Sequence, residues 1–183
     1  MRRSKVPYLV VLFACAAVSA SFAQSVTISY TLSRLSRSST DQFAIWIEDD
    51  KGGFVKTLFV TNFTGRRAGW RARPGALPRW VQAAGVKSQP QASIDAVSGA
   101  TPHSGKHAVA WDLRDASGKP VPRGTYSYLI EGNLAADTWV LWVGTITVAE
   151  EVKISPAKMS FVPTGSAPSA ALISEVSALY QPN

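Results

Sequence analysis

Trp111-Asp112-Leu113-Arg114-Asp115-Ala116-Ser117-Gly118-Lys119-Pro120-Val121-Pro122-Arg123-Gly124-Thr125-Tyr126 is the stretch whose reading decides the fold. Asp112 and Asp115 have side chains short enough to accept N–H bonds from their own turn. Gly118 tolerates a positive φ, and Pro122 presets the bend before Gly124 opens the next run. Strand-like runs flank the module, at residues 107–112 before it and at 125–131 and 138–148 after it. The expectation is a hairpin, and with it an antiparallel β-protein. Calcium takes about six or more oxygen ligands, and two carboxylates fall short of that, so turn chemistry accounts for both aspartates.

Toward the N-terminus, Val26, Ile28, Tyr30 and Leu32 alternate with Thr27, Ser29, Thr31 and Ser33, the period of a half-buried strand. Residues 43–48 and 54–61 continue the pattern across Asp49-Asp50-Lys51-Gly52-Gly53, a tight-turn signal. From 62 to 106 the alternation disappears, leaving a long irregular loop with one short helix expected at 77–84, opened by Pro78 and stopped by Gly85. Residues 24–150 thus form an all-β domain, expected as an immunoglobulin-like antiparallel sandwich. The tail, 151–183, is rich in proline, serine and alanine, and its residues 171–180 suit a closing strand or a short helix equally.

Arg2, Arg3 and Lys5 precede an apolar run from 6 to 18, and Ser21 and Ala23 are small residues at the spacing of a secretory cleavage site. Cleavage between Ala23 and Gln24 makes residues 1–23 a signal peptide and the mature chain a secreted, periplasmic protein without a stable membrane anchor. An uncleaved anchor and lipid attachment at Cys15 are the alternatives. Removing 23 of the 183 residues leaves 160, enough for one domain with a substantial core. The single cysteine, Cys15, leaves with the signal, which excludes disulfides, thiolate metal sites and cysteine nucleophiles from the mature chain. Loss of three basic residues takes the net charge from +7 to +4. In an exported protein that bias points to envelope surfaces or phosphate-bearing ligands, not nucleic acid.

The turn module is similar to the immunoglobulin-like module of flagellar hook-capping proteins, in which a Trp-Asp pair, a short turn and a Gly-Thr-Tyr strand start recur. A wider resemblance rests on Phe43-Ala44-Ile45-Trp46-Ile47-Glu48-Asp49, Phe54-Val55-Lys56-Thr57-Leu58, residues 95–101 and the turn module, in that order. Together they resemble the predicted periplasmic family called domain of unknown function 2271. That resemblance implies a periplasmic location, no established activity, and the company of envelope redox and flavin-attachment functions.

Asp95-Ala96-Val97-Ser98-Gly99-Ala100-Thr101 resembles the acceptor motif of covalently flavinylated proteins, Asp-x-x-Ser/Thr-Gly-Ala-Thr. The resemblance implies FMN on Thr101, with Asp95, Ser98, Gly99 and Ala100 as the recognition loop of a flavin transferase. It also implies envelope redox proteins as partners, for an electron carrier that is not itself an enzyme. Such chemistry requires a reachable hydroxyl, and small residues beside it let a phosphate approach the backbone. Between residues 51 and 94 there are eight basic residues and no acid. Arginine pairs with phosphate and tryptophan stacks on flat rings, so Arg66, Arg67, Trp70, Arg71 and Trp80 are candidate ligand contacts. The alternative is a solvated loop whose tryptophans cover the end of the sandwich, in a non-catalytic immunoglobulin-like binding or assembly module with a purely structural 95–101 loop. His103 and His107 would share a helical face for a metal, but Pro102 and Gly105 argue against a helix, and no metal site is expected. Ser104 lacks the Gly-x-Ser-x-Gly elbow of a hydrolase.

Overall fold

The computed structural model describes residues 24–35, 41–135, 137–149, 151–163 and 172–182; the expected signal peptide, with Cys15, lies outside the described residues. The strands are β1 (Ser25–Leu32), β2 (Phe43–Glu48), β3 (Phe54–Thr61), β4 (Ser98–Gly99), β5 (Gly105–Trp111), β6 (Gly124–Ala135), β7 (Thr138–Val148), β8 (Lys153–Pro156), β9 (Lys158–Val162) and β10 (Ile173–Gln181). They form a four-stranded sheet of order β5-β1-β10-β8 and a six-stranded sheet of order β4-β3-β2-β6-β7-β9. The protein is an all-β sandwich, and the described part of the segment expected as a closing strand or a short helix is the strand β10, paired antiparallel with both β1 and β8.

The turn module does not close a hairpin. β5 pairs with β1 in one sheet, while β6 pairs with β2 and β7 in the other, so the module carries the chain between sheets. Leu113 at φ 54° and Gly124 at φ 154° turn the chain away from in-plane pairing. Only a small inner turn closes, through the Arg114–Pro120 bridge and Asp115 Oδ1, which accepts from Ser117 N (2.8 Å) and Lys119 N (2.9 Å). These bonds to the charged form hold the Asp115 carboxyl below its usual range, the Ser117 hydroxyl bond contributing most. Across the interior the Trp111 and Tyr126 rings meet edge-to-face at 5.0 Å. Trp111 Nε1 donates to Arg114 O and the Tyr126 hydroxyl to Pro122 O, so both aromatic edges are satisfied by the module itself. The other expected turn is a true hairpin: β2 and β3 pair antiparallel, with Asp49 Oδ1 accepting from Lys51 N and Gly53 N.

Between the sheets lies one core, with Val26, Ile28 and Tyr30 from β1, Val176 and Tyr180 from β10, and Phe43, Ile45, Tyr128 and Ile130 from the facing sheet. A second core lies on the outer face of the six-stranded sheet, where segment 62–97 packs as a helical cap. The long irregular loop of the sequence reading therefore contains structure. It consists of α1 (Asn62–Gly65), a 3-10 turn Arg66–Ala68, α2 (Gly69–Ala72), α3 (Pro78–Ala83), a 3-10 turn Val86–Ser88 and α4 (Gln91–Ala96). Helices this short cannot stand alone in water and form here because their apolar side chains find the sheet. Trp80, Leu77, Val86 and Ile94 cover Ala44, Trp46, Val60 and Leu129.

Polar bonds fix the cap in register. Glu131 Oε1 and Oε2 accept from Arg79 N (3.1 Å) and Trp80 N (2.8 Å), satisfying orphan donors at the start of α3 that no cap residue serves. Glu48 accepts from Trp46 Nε1 and Arg79 Nη2, and Trp80 Nε1 donates to Thr57 Oγ1. Trp139 Nε1 reaches Gly75 O, tying β7 to the α2–α3 connection.

Candidate functional site

The cap delivers residues 95–101 to the edge of the six-stranded sheet. β4 lies parallel to β3, with Ser98 opposite Val60 and Gly99 opposite Thr61. Three residues of the motif have local work. Asp95 Oδ1 accepts from Arg67 N (3.0 Å) and Gln91 Nε2 (2.8 Å), joining α4 to the Arg66–Ala68 turn. Those bonds, the Gln91 amide first, hold its carboxyl below the usual carboxylate range. Ser98 Oγ donates to Ile94 O (2.8 Å) at the C-terminal end of α4. A side chain at Gly99 would meet the Phe59 ring, so the glycine lets β4 lie flat on its neighbour. Gly65 is equally constrained, since a Cβ there would overlap Ser98 Oγ and Val60 Cγ1.

With Asp95, Ser98 and Gly99 engaged, Ala100 and Thr101 emerge from the sheet edge. Thr101 is half-buried, and among the described residues its hydroxyl makes no hydrogen bond. It borders an open cavity of about 740 Å³ shared with Asn62, Phe63, Arg66, Arg67 and Arg73. Arg73 lies over the Phe63 ring, its guanidinium carbon 3.4 Å from the centroid. Among the described residues none of the three arginines makes an ion pair, and Asn62 Oδ1 is shielded from solvent without a donor.

The candidate contacts Arg66, Arg67, Trp70, Arg71 and Trp80 are divided by this geometry. Arg66 and Arg67 stand at the Thr101 cavity. Trp70 and Arg71 border a different depression of about 690 Å³, with Lys87. Trp80 is 0 % exposed and cannot stack on a ligand, because its indole fills the core between cap and sheet. Neither tryptophan covers the end of the sandwich; both belong to the second core on the outer sheet face. Phe63, 42 % exposed, is the aromatic ring at the cavity, and nothing in its sequence neighbourhood distinguishes it from core phenylalanines. His107 Nε2 donates to His103 O (2.7 Å), and among the described residues no three His, Cys, Asp or Glu side chains gather.

Fold and site together define a two-sheet sandwich whose helical cap presents one free threonine hydroxyl to a cationic cavity. The chain belongs to the family of predicted periplasmic proteins DUF2271, which matches residues 24–158. No curated protein and no solved structure matches it.

Proposed function

We propose that this protein is an exported carrier of FMN esterified to Thr101, which relays electrons among envelope redox proteins and is not itself an enzyme. The observation that supports this reading is the unbonded Thr101 hydroxyl at the rim of the arginine-lined cavity, at the end of a loop whose other residues hold it there. Attachment would use FAD and an exported flavin transferase. The threonine Oγ attacks the phosphorus on the flavin side of the pyrophosphate and an O–P bond forms. The pyrophosphate O–P bond breaks, AMP departs, the hydroxyl proton goes to solvent, and nothing is oxidised or reduced. The cavity suits the group: cations face a phosphodiester, and the Phe63 wall offers an apolar surface. The bound flavin supplies the redox chemistry, while the chain contributes position and charge.

Residues 1–23 serve in this reading as the signal that brings Thr101 to the transferase's compartment. Tryptic peptide 88–106, bounded by Lys87 and Lys106, isolates the site. After coexpression with a transferase it should carry flavin fluorescence, with fragmentation placing the added mass on Thr101. An unmodified peptide under those conditions rejects the reading. A second reading, a binding or assembly module, is supported by a different region: Val152, Ile154, Met159 and Val162 are exposed on or beside the edge strands β8 and β9.

A further inference from the structure

The Thr101 cavity gathers more positive charge than a structural loop requires. Arg66, Arg67 and Arg73 line it, and among the described residues none of their guanidinium groups makes an ion pair; the one carboxylate whose charge Arg66 and Arg67 feel, Asp95, leaves the three cations in excess, which favours an anion between them. Each guanidinium offers donors in a planar fork that matches phosphoryl oxygens. The Arg73 guanidinium carbon lies 3.4 Å from the Phe63 ring centroid, a contact that takes up no hydrogen-bond acceptor and so leaves its N–H donors for a ligand. The turn that carries two of the arginines is strained: Arg67 and Ala68 are both left-handed, at φ 52° and 58°. Asp95 holds that turn by accepting the Arg67 N–H, and Gln91 Nε2 braces Asp95 while also donating to Gly65 O.

We infer that Arg66, Arg67 and Arg73 form a phosphoryl-binding site that takes the phosphate of FMN without a covalent bond, and that Asp95 is its positioning residue. The identity of the ligand rests on the FMN reading above, whereas the role of the arginines is independent of the ester. Asp95 then acts on the motif's function through the arginine turn.

The test uses mature Thr101→Ala protein made without a transferase, titrated with FMN and with riboflavin by flavin fluorescence. FMN should bind at least about tenfold more tightly than riboflavin, and inorganic phosphate should compete. The triple variant R66Q/R67Q/R73Q changes only exposed side chains and should abolish the preference. Asp95→Asn retains an oxygen for the Arg67 N–H and should keep the preference, whereas Asp95→Ala should lose it. Equal binding of FMN and riboflavin, or a preference that survives the triple variant, overturns the phosphoryl site. Equal loss in Asp95→Asn and Asp95→Ala overturns the positioning role. An intact FMN preference with no attachment in the wild type would remove the ester and leave this site. Full attachment with no FMN preference would do the reverse.

Discussion

On β6, Ile130 and Glu131 are neighbours that face two different interiors. Ile130 enters the core between the sheets, where packing is almost wholly aliphatic and aromatic. Glu131 enters the layer between sheet and cap, where two buried carboxylates, three indole N–H groups and a threonine hydroxyl make placed bonds. Apolar packing tolerates small slips, while hydrogen bonds are directional. The sandwich core therefore supplies most of the stability, and the cap seam supplies register. Register is what a site built from α1, the Arg66–Ala68 turn and β4 needs.

Removing one large side chain from each interior separates these roles. Trp80→Ala should cost about 3–5 kcal/mol of cap stability, and Ile130→Ala about 2–5 kcal/mol of global stability. Hydrogen exchange should show Trp80→Ala losing protection in 62–97 while β1 and β10 keep theirs. Loss of protection everywhere would mean that cap and sandwich form a single cooperative unit.

The pH dependence of stability sharpens the same contrast. Burial pushes the Glu131 carboxyl from its ordinary 4.5 up to about 7, against bonds from Trp80 N and Arg79 N and the Arg79 charge; Glu48 also faces Arg79. Below pH 4.5 the group is protonated in folded and unfolded chains alike and makes no difference. As pH rises the unfolded chain ionises first, so the folded state loses stability between pH 4.5 and about 7, a destabilisation that levels off at about 3 kcal/mol above that. Denaturant unfolding at pH 5 and pH 8 should show the slope, and Glu131→Gln should remove it. An unchanged slope in Glu131→Gln would assign the pH dependence elsewhere.

A smaller effect links seam to site. Gly65→Ala inserts a methyl where Ser98 Oγ and Val60 Cγ1 already lie, and should cost about 1–3 kcal/mol. It should also lower flavin occupancy at Thr101, by shifting β4 off β3. Wild-type occupancy in this variant would show that β4 need not be held.

Much of the sandwich was legible because β1 alternates cleanly and Asp49 to Gly53 is a tight-turn signal. Of the cap only α3 was legible, as the short helix expected at 77–84; the rest was hidden because its helices run four to six residues, too short to express a 3.6-residue period, and left-handed Arg67 and Ala68 interrupt them. One clue was present: Phe43-Ala44-Ile45-Trp46-Ile47 is apolar at every position, the mark of a strand buried on both faces. The turn module was legible as a turn but not as a crossover, since turn chemistry is local and the choice of partner strand is not. At the site, residue type was readable and direction was not. Trp70 and Trp80 have the chemistry of ligand contacts, yet they point into the second core, while Phe63 and Arg73 reach the cavity.

The most direct measurement is the intact mass of the mature protein recovered from the periplasm after coexpression with a flavin transferase. The mass should rise by one FMN esterified with loss of water, and Thr101→Ala should abolish the gain without changing the fold. An unmodified wild-type mass, with a control acceptor protein loaded in the same cells, would contradict the account.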